Sequence, residues 1–186
     1  MPKHIITIGQ FDDGKPVKFD LDVFNRTKGS FIANSGGAKT FSMCTIIERS
    51  LDYIPWIILD IEGEYAPLRK NFPKILLVGE EGEVPVNEKT AKLLARKIME
   101  NRLPTIVDLY GLLNIRADWT ASFITALINL PKDLWSPVVV AIDEAHRIAP
   151  ETPEGNKIER EAVGRSRQAI CTLADSGRKQ LRGVLV

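Results

Sequence analysis

Val138-Val139-Val140-Ala141-Ile142-Asp143-Glu144 decides how this chain is read. Five apolar residues follow one another without polar alternation. That pattern predicts a strand buried on both faces, as in a parallel sheet covered by helices on either side. Two carboxylates follow at once. Adjacent carboxylates at the end of a buried strand are costly unless a cation or another partner meets them. Open α/β sheets bind ligands beyond the carboxyl ends of their strands, so this is where chemistry is expected. The alternative is that Asp143 or Glu144 simply caps the next turn in solvent.

The rest of the chain repeats the alternation of buried strand and helix. Further apolar runs are Gly29 to Ala33, Trp56 to Ile61, Ile75 to Val78, Pro104 to Leu109 and Gly183 to Val186. Helical periodicity follows Lys39-Thr40, with Phe41, Met43, Cys44, Ile46, Ile47 and Leu51 apolar. Glu88 to Asn101 reads as an amphipathic helix, with Leu93, Leu94, Ile98 and Met99 on one face. Asp118 to Leu130 reads as another, with Asp118 as N-cap and Pro131 as stop. Asn156 to Gln180 is helical and rich in arginine. Ahead of all these, residues 5–21 predict a β-hairpin turning at Asp12-Asp13-Gly14-Lys15. The fold class is therefore α/β: a mostly parallel sheet with helices on both faces and a small N-terminal hairpin. We read residues 1–186 as one domain, with the hairpin in 1–27 and the core in 28–186.

The chain has 186 residues, 44% of them apolar and 26% charged, and a formal net charge of +1. This balance argues against a globally basic nucleic-acid binder, while leaving room for a local basic face. No apolar run approaches the roughly 18 residues of a membrane span. With no long apolar leader, the expectation is a cytoplasmic protein without a membrane partner. The two cysteines, Cys44 and Cys171, have no histidine at metal-ligand spacing and read as two buried thiols.

Two other strand ends carry polar residues. Ala33-Asn34-Ser35-Gly36-Gly37-Ala38-Lys39-Thr40 lies between a strand and a helix, the setting of a phosphate loop. In such a loop Asn34 to Phe41 line the bound nucleotide, and backbone N–H groups and the helix N-terminus attract phosphate. Lys39 reaches the β- and γ-phosphates, and the Thr40 hydroxyl ligates Mg²⁺. The pattern departs from G-x-x-x-x-G-K-[ST], because Ala33 and Ala38 replace both glycines. Ala keeps its N–H, but a Cβ costs about 1 kcal/mol or more wherever φ must be positive. The alternative is a small-residue turn whose Lys-Thr merely opens a helix. Asp60-Ile61-Glu62-Gly63-Glu64-Tyr65 puts three more carboxylates at the same sheet edge; on residues alone it reads first as a solvated acidic turn.

Together these segments resemble the HerA/FtsK superfamily of phosphate-loop ATPases, specifically the HerA-like branch. Ile142 to Pro150, with its trailing His146 and Ala149-Pro150, resembles that branch's strand-end motif. Asp60 to Tyr65 resembles its D-x-x-G-E-Y segment, Val84 to Asn87 a short element that follows, and Asp175 to Lys179 with Gly183 to Leu185 the approach to its sensor strand. The resemblance implies a RecA-like ATPase core that uses ATP and Mg²⁺. It implies Lys39 and Thr40 on phosphate and metal, Asp143 supporting the metal, and Glu144 as catalytic base. It further implies a hexameric ring moving duplex DNA, with active sites at subunit interfaces where a neighbour supplies an arginine, Arg178 or Arg182. A nuclease or other processing protein is an implied partner. Against the family pattern, the N-terminal barrel is missing and the chain stops at Val186, on what reads as the last core strand.

Arg160, Arg165, Arg167, Arg178, Lys179 and Arg182 concentrate cations near the end of the chain. They read equally as a phosphate-contacting face or a solvated helix. Residues 111–117 and 150–157 are candidate pore loops. Trp56, Trp119 and Trp135 read as packing residues, and His146 as a packed, hydrogen-bonded histidine.

Overall fold

The computed structural model describes residues 4–30, 32, 39–87, 89–113, 115–180 and 182–185. Strands β1 (Ile5–Gln10) and β2 (Pro16–Asp20) form the expected antiparallel hairpin. Gly14 takes the positive φ of its turn, 81°. A one-turn helix, α1 (Leu21–Phe24), follows, and the Asp20 carboxylate caps it by accepting from the backbone of Asp22 and Val23.

The core is a six-stranded sheet in which every neighbouring pair is parallel. In chain order its elements are β3 (Lys28–Gly29), α2 (Lys39–Ser50), β4 (Trp56–Asp60), α3 (Leu68–Asn71), β5 (Leu76–Val78), α4 (Thr90–Asn101), β6 (Thr105–Asp108), α5 (Arg116–Ile128), β7 (Val138–Ile142), α6 (Lys157–Ser176) and β8 (Arg182–Leu185). Across the sheet the order is β3-β8-β7-β4-β6-β5.

The central strands read as continuous apolar runs because alternate residues feed two different cores. Ile57, Leu59, Val107, Val138, Val140 and Ile142 pack with α4, α5 and α6. Trp56, Ile58, Ile106, Val139 and Ala141 pack with α2 and the segment around α3. Parallel crossovers keep one hand, so helices on outward and return journeys across the sheet must lie on opposite faces. The chain travels from β3 to β5 through α2 and α3, then back to β8 through α4, α5 and α6. The two cores divide accordingly.

The structure corrects several boundaries. Among the described residues of the run expected as a strand over 29–33, Gly29 pairs in the sheet as part of Lys28–Gly29, and Ile32 is exposed, while Phe31 and Ala33 lie outside the described residues. Helix α5 starts at Arg116, so Asp118 is not its cap; its carboxylate accepts from Arg165 of α6 at 2.6 Å instead. Asn156, at the predicted start of α6, forms a reciprocal capping box with Glu159. Cys171 is exposed on α6 rather than buried, and Cys44 is half-buried. Trp56 and Trp119 are core residues, Trp119 stacking on Phe123 with ring centroids 5.0 Å apart. Trp135 is half-buried, its indole N–H donating to the Leu130 carbonyl. Among the described residues no helix is long and apolar enough to cross a membrane.

Candidate functional site

The carboxyl end of β7 meets the first turn of α2. Asp143 extends the strand by one ladder bond, its N–H donating to the Leu59 carbonyl at 3.1 Å. The next residue, Glu144, turns the chain sharply with φ 47° and ψ 43°, a left-handed conformation that a side chain rarely adopts. Such strain persists where the surroundings impose it, commonly at functional sites. The turn leaves both carboxylates facing Lys39. Its ammonium lies 2.9 Å from Asp143 Oδ1 and also hydrogen-bonds Glu144 Oε1.

These contacts set the charges. Burial opposes the positive charge of Lys39, but its hydrogen bonds to Glu144 and Asp143 outweigh burial and raise its pKa above that of an ordinary lysine. The hydrogen bond from Lys39 holds Glu144 below the usual glutamate range, against the opposing effect of partial burial. Lys39 thus serves as the internal counter-ion that this acidic strand end requires. His146 is not packed: it is largely exposed, with Nδ1 3.3 Å from Glu144 Oε2.

The Asp60–Tyr65 segment is not a solvated acidic turn. Asp60, the last residue of β4, is fully buried, and its carboxylate accepts from the backbone N–H groups of Gly63 (2.8 Å), Glu64 (3.2 Å) and Tyr65 (2.9 Å). Gly63 supplies the positive φ, 74°, that closes the loop on its own acid. Burial pushes the Asp60 pKa up to about 6, with the three N–H donors opposing. The loop directs Glu64 to the Thr40 hydroxyl, which donates to Glu64 Oε2. It also seats Tyr65 in the wall of the cleft, and Glu62 pairs with Arg147 at 2.8 Å.

The structure therefore brings Lys39, Thr40, Asp143 and Glu144 to one place. The cleft there is about 220 Å³, and Lys39, Tyr65, Asp143, Glu144 and His146 line it beside apolar Met43 and Ile58. Phe41, on the first turn of α2, is exposed. Asn34, Ser35, Gly36, Gly37 and Ala38 lie outside the described residues. The side chains of Arg178 and Arg182 do too. The segment bearing Arg178 precedes β8, at the opposite end of the sheet from the cleft. The roles of Glu64 and Tyr65 are not evident from residue types alone. Their signal was the spacing Asp60-x-x-Gly63-Glu64-Tyr65 at the end of an apolar strand, where a buried acid needs nearby N–H donors.

The donor set suits Mg²⁺ and a phosphate-bearing nucleotide. The Thr40 hydroxyl and the Asp143 carboxylate are hard oxygen ligands, and Lys39 is a point charge for phosphate.

Fold and site together define a RecA-like α/β core with its polar residues at the strand ends. Among solved structures the chain is similar to VirB4 of Thermoanaerobacter pseudethanolicus, with a TM-score of 0.61 over 97% of this chain and 76% of that one. Sequence identity is 16%, so the likeness is one of fold. No protein-family model matches the chain. No curated protein matches it by sequence.

Proposed function

We propose that this protein is an ATP-hydrolysing motor of the HerA/FtsK type, working as a ring on duplex DNA. The observation that carries the ATPase reading is the contact of Lys39, at the start of α2, with the paired carboxylates at the end of β7. Lys39 binds the β- and γ-phosphates when ATP is present, leaving Asp143 and Glu144. Thr40 and Asp143 would hold Mg²⁺, which would supply positive charge to the phosphate oxygens. Glu144 orients the attacking water and accepts its proton. Arg178 of a neighbouring subunit is the candidate for stabilising charge on the transferred phosphoryl group.

One observation favours a second reading, an ATPase of this fold that drives packaging or secretion rather than movement along DNA. Two of the clustered arginines on α6 are engaged within the chain: Arg165 with Asp118, and Arg167 with the Glu151 carbonyl at 3.0 Å. That leaves fewer cations for DNA phosphates.

The test is ATP hydrolysis by the purified protein with and without duplex DNA, beside Lys39→Ala and Glu144→Gln. Hydrolysis that rises with DNA and disappears in both variants supports the motor. Hydrolysis indifferent to DNA supports the second reading. Mg²⁺·ATP that raises the melting temperature without phosphate release identifies a nucleotide-binding assembly module and refutes the motor.

A further inference from the structure

Tyr65 carries a polar atom that the described residues leave unpaired. The residue is 1% exposed, packed beside Met43, Ile58 and Leu68. Its backbone N–H donates to Asp60 and its carbonyl accepts from the Leu68 N–H at 3.0 Å, so its backbone is held on both sides. Its hydroxyl oxygen is buried and has no hydrogen-bond partner among the described residues. A buried hydroxyl left unpaired is costly, and native structures keep few of them without a reason. Phenylalanine would fill the same space with no such cost. Thr120 and Ser166 carry similarly unpaired hydroxyls, but they sit on α5 and α6, outside the cleft.

What separates Tyr65 is its place in the wall of the cleft, with Lys39, Asp143 and Glu144. We propose that the Tyr65 hydroxyl is a ligand-binding donor, kept for an oxygen of the bound nucleotide or of the water shell of its Mg²⁺. This rests on the nucleotide reading above and adds to it a residue with a defined role. The phenol stays protonated: burial raises its pKa, and the nearby charge of Asp143 raises it further. Tyr65 is therefore a fixed donor throughout the physiological range. The acidic loop that carries it explains its position. The Asp60 carboxylate draws in three successive N–H groups, and the third belongs to Tyr65.

The experiment is titration calorimetry of a non-hydrolysable ATP analogue into wild-type protein, Tyr65→Phe and Lys39→Ala, with Mg²⁺ and again with EDTA. The melting temperature of each ligand-free protein is measured alongside. One hydrogen bond lost predicts a Kd about three- to tenfold higher for Tyr65→Phe. Its ligand-free melting temperature stays equal to wild type or rises. A loss confined to the Mg²⁺ arm assigns the partner oxygen to the cation's water shell. An equal loss in both arms assigns it to a phosphate. Wild-type affinity for Tyr65→Phe in both arms, while Lys39→Ala binds poorly, overturns this inference and leaves the nucleotide reading standing. Absence of binding by the wild type overturns both.

Discussion

Glu144→Gln tests whether the ion pair at the heart of the cleft is a lock that nucleotide must open. Lys39 is shared between Asp143 and Glu144, and the three side chains are only 25%, 9% and 26% exposed. A charge-assisted hydrogen bond in such a setting contributes about 1.5–3 kcal/mol. Glutamine keeps an oxygen acceptor and Asp143 keeps its pair, so about 1–1.4 kcal/mol should be lost. Two consequences are linked. The ligand-free variant should melt about 2–4 °C below wild type. It should also bind a non-hydrolysable ATP analogue about five- to tenfold more tightly, because binding no longer breaks that contact. The linkage has a pH signature. Lys39 holds the Glu144 pKa below its unfolded value of 4.5. The stability it adds is therefore present above pH 4.5 and is lost as pH falls through the lower folded pKa. Calorimetric binding and melting curves at pH 7 and pH 4 measure both. A variant that melts lower at pH 7 but binds the analogue no better than wild type would refute the reasoning.

The buried acid of the 60–65 loop should behave oppositely. Burial raises the Asp60 pKa from 3.8 to about 6, so its contribution is fully present below pH 3.8 and lost as pH rises through about 6. Urea unfolding should show the stability of wild type relative to Asp60→Asn falling by about 2 kcal/mol between pH 4 and pH 7; parallel curves would sink the assignment. Asn also offers one carbonyl oxygen where two carboxylate oxygens now accept, so the variant is expected to loosen the hold on Tyr65. At Gly79, with φ 155°, an added Cβ would stand 2.9 Å from the Asp108 Cβ. Gly79→Ala should cost about 1–3 kcal/mol in urea midpoint with an unchanged m value, whereas a neutral effect would show that the β5 end yields easily.

The segment Val138–Glu144 is legible in the sequence because a strand buried on both faces leaves a local trace. Residues along such a strand are apolar whichever core they feed, so β7 and β4 up to Leu59 are visible without knowledge of their neighbours. The capping box of α6 is equally local: Asn156 and Glu159 are three residues apart and satisfy each other. The hairpin likewise follows from its turn and short range. Edges are less legible. Residues 29–33 are apolar enough for a strand, yet among the described residues the pairing with β8, more than 150 residues further along the chain, runs through Lys28 and Gly29. Asp118 has the chemistry of a cap, but a cation on α6 claims its carboxylate. Cys171 sits in an apolar sequence context, and only helix phase against α5 turns it outward.

The candidate site divides in the same way. Residue types alone pointed to Lys39, Thr40, Asp143 and Glu144, since a lysine-hydroxyl pair opening a helix and two acids ending a buried strand each invite a charged partner. That they are partners of one another depends on β7 and α2 meeting at one sheet edge, a contact spanning more than 100 residues of sequence. The Asp60–Tyr65 loop shows the limit most clearly. Its acids look solvated in the sequence because carboxylates usually are. The packing of β4 between β7 and β6 buries Asp60 completely, and the acid then finds its donors in its own following backbone. Hydrophobic pattern and local hydrogen-bonding capacity thus determined the elements and the chemically active residue types. Only long-range strand order and burial decided which acids are paired, which is enclosed, and that a tyrosine hydroxyl in the cleft wall has no partner among the described residues.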